Sequence, residues 1–172
     1  MPDRPKHMRR SGRQEIPPFN DDERFYHRVS PDFAKLADDD GKIDAHYFSS
    51  YECVDLSSNR SSVSEPWYVL YPRLEFGTWA VFEFRRRDIP NQIKRDATDA
   101  IPYEVRTEPD PCECNFGHCE TRVYRGTTRM RRNQVKQDGK NKLRLSLSRA
   151  LALVRQAGIP FPPEGWVEPP VE

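Results

Sequence analysis

Three of the chain's four cysteines and one of its four histidines lie within eight residues, in the stretch DPCECNFGHCETRVYRG at 110–126. Thiolate and imidazole are the ligands that tetrahedral zinc prefers, so Cys112, Cys114, His118 and Cys119 form a candidate zinc site. Structural zinc sites usually combine two ligand pairs from separate elements, whereas these four residues share one short segment. The spacing therefore favours a hairpin tip with incidental thiols and no cofactor, with zinc and a redox thiol as the alternatives.

A second candidate site combines Arg28, Ser49 and Glu120. ADP-ribosyltransferase-like domains place an Arg or His, a strand Ser or Thr and a catalytic Glu in this chain order. Their chemistry needs a donor that orients NAD and a carboxylate that stabilises an oxocarbenium-like transition state. The same residue types also occur in this order by chance, in surface ion pairs and turns. An NAD-consuming toxin or effector is therefore the enzymatic alternative, with His118 as a further candidate residue.

Positive charge is concentrated in one region, although the formal net charge of the chain is only +1. Between Arg122 and Arg144 the sequence has nine Lys or Arg and one acid, Asp138. Such a basic strip suits phosphates or an acidic protein surface. The predicted partner-binding residues are Arg122, Arg125, Arg129, Arg131, Arg132, Lys136 and Lys140, together with Trp166 near the C-terminus. No helix-turn-helix, zinc-finger or RNA-recognition signature accompanies the strip, so charge alone supports nucleic acid as the partner.

Several common motifs are missing from the sequence. It has no Gly-rich phosphate loop, no GxSxG and no HExxH, which argues against nucleotide hydrolysis, serine-hydrolase and metalloprotease chemistry. No run of about eighteen apolar residues is present, and the first residues lack the apolar segment of a secretory signal. These features predict a cytoplasmic protein that does not contact a membrane.

The 172 residues are enough for one domain of ordinary size. Residues 1–19 are basic and rich in proline, and are predicted to be disordered. A single domain is expected over 20–158. The segment 159–172 has five prolines among its fourteen residues and predicts an extended tail that presents Phe161 and Trp166 to the domain or to a partner.

The clearest strand pattern is GTWAVFEFRRRD, where Ala80, Phe82 and Phe84 alternate with Trp79, Val81 and Glu83. A hairpin is predicted over 101–126 with the cysteines at its tip, and a helix over 143–156. The stretch 43–47 alternates like a strand, whereas SSNRSSVSEP is polar and turn-rich. Together the patterns predict an α+β fold, with a small, mostly antiparallel sheet and one C-terminal helix.

Four segments carry a resemblance to a known group of proteins: FYHRVSPDF, FSSYECVDLSS, FGTWAVFEFRRRDIP and DPCECNFGHCETRVYRG. In this order they resemble the blocks of a small family of uncharacterised bacterial proteins, which include Tyr-Arg-Arg-Ile, Ser-Ser-x-x-Phe, Ser-Val-Asp and Asp-Pro…His-Ala motifs. The matching positions are Arg28, Ser49, Ser50, Asp55 and His118. His27 stands where the first block usually has Arg, and Cys119 replaces a small residue. The resemblance implies a compact α+β domain of bacterial origin and no particular activity.

Taken together, these features predict a non-catalytic intracellular accessory protein. It would dock on a larger protein or nucleoprotein complex through the basic strip and the Pro/Trp tail. The alternatives are the NAD-consuming transferase and a zinc-containing nucleic-acid-binding module.

Overall fold

The computed structural model describes residues 18–34, 42–45, 47–50, 54–70, 79–94, 102–112 and 115–155. The predicted tail over 159–172 lies outside these ranges, and so does the predicted disordered segment over 1–19 except for Pro18 and Phe19. Cys53, Cys114 and Trp166 are also outside the described residues.

Within these ranges the chain forms eight strands, and its longest helix follows seven of them. The strands are Arg24–Val29 (β1), Asp55–Arg60 (β2), Ala80–Arg85 (β3), Gln92–Ile93 (β4), Tyr103–Pro109 (β5), His118–Arg125 (β6), Thr128–Arg129 (β7) and Ala152–Arg155 (β8). The α-helices are Pro31–Ala34 (α1), Tyr47–Ser50 (α2) and Gln137–Ala150 (α3), and 3₁₀ helices cover Pro66–Leu70 and Arg86–Asp88.

All observed strand pairs are antiparallel, in the sheet order β4-β5-β6-β2-β1-β3-β8, and β7 pairs with β6. The predicted α+β class, with a mostly antiparallel sheet and one C-terminal helix, is confirmed. The predicted hairpin is also present as β5 and β6, which pair from Glu104 with Tyr124 to Pro109 with Cys119. The cysteine-rich segment connects these two strands.

The core lies on one side of the sheet, which we call the buried face. Successive side chains of a strand point to opposite faces, and β3 follows this rule as predicted, with Ala80, Phe82 and Phe84 in the main core cluster. Leu143 and Leu147 of α3 and Tyr47 and Phe48 of α2 pack into the same cluster. A second, smaller cluster, which includes Val81, lies beneath the Pro66–Leu70 3₁₀ helix.

Strand β2 is the main element that the sequence analysis missed. Its sequence, DLSSNR, falls where a polar, turn-rich loop was predicted, yet β2 lies between β6 and β1 near the middle of the sheet. Its most polar buried side chain, Arg60, forms a bidentate ion pair with Glu23, with both N···O distances at 2.7 Å. Ser62 also donates to Glu23. Because these partners satisfy Arg60, a polar segment can serve as an interior strand.

Helix α3 was predicted over 143–156, and that prediction is wrong at both ends. The helix begins at Gln137. Its third residue, Gly139, lies so close to Tyr103 that an added Cβ would be 2.9 Å from the ring. It ends at Ala150, and residues 152–155 form β8 on the edge of β3. Val154 is therefore an exposed strand residue and does not share a helical face with Leu147. The sequence LALV fits a strand as well as a helix. The strand forms because the edge of β3 has unpaired backbone groups with which it can bond.

Two smaller predictions are also corrected. Residues 43–47 alternate like a strand, but they lead into α2, where Tyr47 and Phe48 are adjacent and both buried. Gln92–Ile93, which shows no strand pattern in the sequence, pairs with β5 as a short strand. None of the helices in the described part of the chain combines the length and apolar character that a membrane crossing requires.

Candidate functional site

The structure does not place His118 and Cys119, two of the predicted zinc ligands, on the same side of the sheet. Cys112 is exposed and forms an isolated bridge with Asn115, while Cys119 is fully buried on the core side of β6. His118 precedes Cys119 in the same strand, so its side chain points to the opposite face. One tetrahedral ion cannot bind both side chains in this arrangement. Within the described residues, no group of three or more His, Cys, Asp or Glu side chains is placed to hold a metal ion.

Burial also changes the chemistry of Cys119. The loss of water around its thiol raises the pKa from 9.0 to about 12. A thiol that stays protonated is a poor nucleophile and a poor metal ligand. The redox-thiol alternative therefore receives no support from Cys119.

His118 lies on the other side of the sheet, in the region that we call the polar face: the outer surface of β5, β6 and β2. Its Nε2 is 2.9 Å from the hydroxyl oxygen of Ser57, which is exposed. Its Nδ1 is 2.8 Å from the backbone carbonyl oxygen of Asp110 and 3.6 Å from a carboxylate oxygen of the same residue. A carbonyl oxygen only accepts, so Nδ1 carries a hydrogen. In the neutral ring Nε2 then accepts the hydrogen of the Ser57 hydroxyl.

A network of ion pairs continues along the polar face from His118. Arg122 contacts carboxylate oxygens of Glu120 at 2.7 Å and of Asp110 at 3.1 Å. Arg129 contacts Asp55 at 2.7 Å and Glu120 at 3.4 Å. Glu120 is thus held between two guanidinium groups. This arrangement is that of a surface ion-pair ladder across neighbouring strands.

The NAD-site candidates Arg28, Ser49 and Glu120 lie on three different elements. Glu120 and Arg28 project from the same face of the sheet, and Arg28 donates a 3.1 Å hydrogen bond to the carbonyl oxygen of Val69. Ser49 belongs to α2, whose Tyr47 and Phe48 pack into the core on the opposite face. The expected strand serine is therefore a helical residue, and α2 lies across the sheet from Glu120. The described backbone therefore separates Ser49 from Arg28 and Glu120.

Three positions from the proposed bacterial blocks do fall near one another. Arg28, Asp55 and His118 lie on β1, β2 and β6, which are neighbours in the sheet, and all three project from the same face. His118 contacts Ser57, two residues from Asp55. Comparisons with known protein families, with known proteins and with solved structures returned no match. The resemblance to a bacterial family accordingly stays a prediction.

The seven predicted partner-binding residues of the basic strip divide into two groups. Arg122 and Arg129 belong to the ion pairs of the polar face. The others cluster between β6 and the first turns of α3, a region that we call the basic connector: Arg125, Arg131, Arg132 and Lys136, which are exposed, and Lys140, which is half-buried. Arg131, Arg132, Asn133 and Lys140 border a surface hollow of about 430 Å³ together with Asp55. Positive groups therefore outnumber negative ones around this hollow.

Sequence reasoning missed Ser57, Asp110 and the anchoring role of His27. His27 is buried, and its Nδ1 donates a 2.7 Å hydrogen bond to the carbonyl oxygen of Ser57. A signal was available: in DLSSNR, a β2 strand would put Asp55, Ser57 and Asn59 on one face. The contact of Ser57 with His118 joins residues 61 positions apart, and only the strand order creates it.

Proposed function

We propose that the protein is an accessory protein that docks on a nucleic acid or a nucleoprotein complex through its basic connector. One observation carries the proposal: Arg131, Arg132 and Lys140 border a single hollow beside the polar face. Guanidinium and ammonium groups clustered in this way contact phosphates, and releasing the counterions of a nucleic acid supplies most of the binding energy. Among the described residues that border the hollow, Asp55 is the only acid, and its charge is already balanced by Arg129.

The ion pairs of the polar face narrow the contact region. Arg122 and Arg129 were predicted to bind the partner, but their charges are engaged by Asp55, Asp110 and Glu120. Contact with phosphates through these two arginines would require breaking ion pairs that already exist. The proposed contact residues are therefore Arg125, Arg131, Arg132, Lys136 and Lys140.

The test is direct binding of a fluorescent single-stranded 20-nucleotide RNA to the full chain, measured by anisotropy between 50 and 200 mM salt. We expect the affinity to fall steeply with salt, with a log–log slope that decreases by about one for each phosphate contact removed. The variant Arg131→Ala/Arg132→Ala should bind at least about tenfold more weakly at 100 mM salt, by the scale of the counterion-release effect.

A matched control removes the same amount of charge elsewhere. Arg87→Ala/Arg149→Ala deletes two exposed positive charges outside the basic connector and should bind nearly as well as the wild type. Equal losses in the two double variants would mean that only net charge matters. That outcome, or an affinity that does not respond to salt, would contradict the proposed contact region.

A further inference from the structure

We infer that Ser57 is a nucleophile activated by His118, and that the polar face holds a site for carboxylic esters. The inference goes beyond the proposed docking function and uses none of the residues of the basic connector. It replaces the sequence-based expectation of a non-catalytic protein, which rested on the lack of a recognisable catalytic motif.

The geometry is that of a nucleophile with its general base. The Ser57 hydroxyl oxygen and His118 Nε2 are 2.9 Å apart, within the range for proton transfer. Because Nδ1 is committed to the Asp110 carbonyl, the lone pair of Nε2 faces the hydroxyl hydrogen. This tautomer is the one that a base must adopt to take the serine proton.

Asp110 acts as a positioning residue in this site. Its carbonyl oxygen fixes the orientation of the imidazole, and its carboxylate lies 3.6 Å from Nδ1, where it would stabilise an imidazolium. Arg122 in turn holds that carboxylate at 3.1 Å. Asp110 therefore occupies the place of the acid in a Ser-His-Asp arrangement.

Ser57 is held firmly and is still accessible. Its strand pairs with β6, where Ser57 lies opposite Glu120, and its carbonyl oxygen accepts a hydrogen bond from His27 beneath the sheet. Its side chain is exposed on the polar face. A site built on paired strands keeps the hydroxyl oxygen and the base in register better than a loop would.

The proposed reaction has two balanced halves. The Ser57 oxygen forms a bond to the ester carbonyl carbon and the bond from that carbon to the alcohol oxygen breaks. The serine proton passes to His118 Nε2 and then to the departing alcohol. Water, deprotonated by the same nitrogen, then attacks the acyl-serine, releasing the carboxylic acid and returning the proton to Ser57.

The charges around Ser57 select among esters. On the polar face, including Asp110 just after β5, carboxylates outnumber guanidinium groups by five to three. The carboxylates are Asp55, Glu104, Glu108, Asp110 and Glu120, and the guanidinium groups are Arg106, Arg122 and Arg129. A substrate with negative charge near the reacting carbonyl would be repelled by this surface. The site therefore favours neutral or cationic esters.

Two measurements on the full chain test the inference. The first is labelling with a fluorophosphonate, whose phosphorus is attacked by activated serines with loss of fluoride, followed by peptide mass spectrometry. The second is hydrolysis of neutral 4-nitrophenyl acetate and of anionic 4-nitrophenyl succinate. We expect an adduct on Ser57, and faster hydrolysis of the neutral ester.

The variants separate the roles of the residues. Ser57→Ala should abolish the adduct and the ester hydrolysis, and His118→Gln should slow both by at least about a hundredfold, the usual contribution of a general base. Ser146→Ala, which removes a hydroxyl on α3, is the control and should behave like the wild type. Circular dichroism melting checks the fold of each variant.

Several results would overturn the inference. No adduct on Ser57, labelling of Ser146 at the same rate, or full labelling in His118→Gln would each do so. If His118→Gln does not fold, the wild type itself serves: labelling of Ser57 no faster than labelling of Ser146 would rule out an activated serine.

Discussion

His27 and His118 make the same pair of hydrogen bonds on opposite faces of one sheet. In each ring Nδ1 donates to a backbone carbonyl, at 2.7 Å for His27 and 2.8 Å for His118, and Nε2 contacts a hydroxyl oxygen at 2.9 Å. His27 is 3% exposed, and burial lowers its pKa to about 4. The His118 side chain is 20% exposed and lies beside a carboxylate. Equal hydrogen bonding thus leaves one ring buried and neutral at pH 7 and the other partly exposed to solvent.

The arginines of the two faces show the same contrast. Arg60 and Glu23 have side chains that are each 2% exposed, and Arg60 also stacks on the Phe19 ring at 4.5 Å. Burial by itself would raise the pKa of Glu23, but hydrogen bonds from Arg60 and Ser62 and the charge of Arg60 hold it below its ordinary value. Arg129 on the polar face is about half exposed. Similar chemical groups therefore form a buried ion pair on one face and solvent-exposed ion pairs on the other.

The contrast between the two faces predicts that, among these substitutions, the one at Glu23 lowers the stability most. Glu23→Ala leaves the guanidinium of Arg60 buried without its carboxylate, which should lower the free energy of unfolding by about 3–5 kcal/mol. Urea unfolding at pH 7 measures this. The control is Asp22→Ala, which removes an exposed partner of Arg87 and should cost less than about 1 kcal/mol. Equal effects of the two substitutions would mean that burial does not separate these ion pairs.

The cysteines should differ by a factor of about a thousand in reactivity. Burial raises the pKa of Cys119 by about three pH units, so its thiolate fraction at pH 8 is about a thousandfold below that of an ordinary thiol. Iodoacetamide should modify exposed Cys112 quickly and Cys119 only after denaturation. Tandem mass spectrometry of the alkylated chain resolves the two positions. Modification of Cys119 as fast as Cys112 in the native protein would place Cys119 outside the core.

The third prediction concerns the dependence of stability on pH. With a pKa of about 4 when folded and about 6.5 when unfolded, His27 is neutral in both states above pH 6.5 and adds no pH dependence there. Between pH 6.5 and 4 the unfolded chain binds more protons, so stability falls as the pH decreases, by roughly 3 kcal/mol in total.

Denaturant unfolding at several pH values in this window compares the wild type with two variants. His27→Gln should flatten the decline, because the group that binds the extra proton in the unfolded state is gone. His118→Gln should leave most of the decline in stability unchanged. Parallel curves for the wild type and His27→Gln would show that His27 is not the source of the decline.

The smallest effect is expected on the polar face. Glu120→Gln removes one carboxylate from the network. Arg122 still forms ion pairs with Asp110 and Glu108, and Arg129 still forms one with Asp55. The free energy of unfolding should change by at most about 1 kcal/mol and should depend on salt. Thermal unfolding at low and high salt measures the difference. A loss comparable to that of Glu23→Ala would mean that the polar face is as important for stability as the core.

Much of the fold could be predicted where the local pattern and the tertiary environment agree. Strand β3 alternates apolar residues because one of its faces packs in the core, and the β5–β6 hairpin is bounded by turn residues. The helix boundaries and β2 could not be predicted in this way. Gly139 is tolerated in α3 because it packs closely against Tyr103, and polar β2 is stable because strands flank it on both sides.

The candidate sites were predicted unevenly for the same reason. His118 and the cations of the basic connector are visible as residue types, whereas Ser57 is one of many serines until β2 is placed beside β6. The zinc prediction grouped His118 with Cys119, which point to opposite faces because they are neighbours in a strand.

The sequence by itself determined the fold class, the location of the positive charge and the segment that joins β5 to β6. These properties depend on composition and on short-range periodicity, which are complete in a stretch of a few residues. The tertiary structure alone decided which histidine is buried, which arginines are paired and which serine meets His118. Those outcomes depend on strand order and on the desolvation that comes with it, and both arise only when residues distant in sequence pack together.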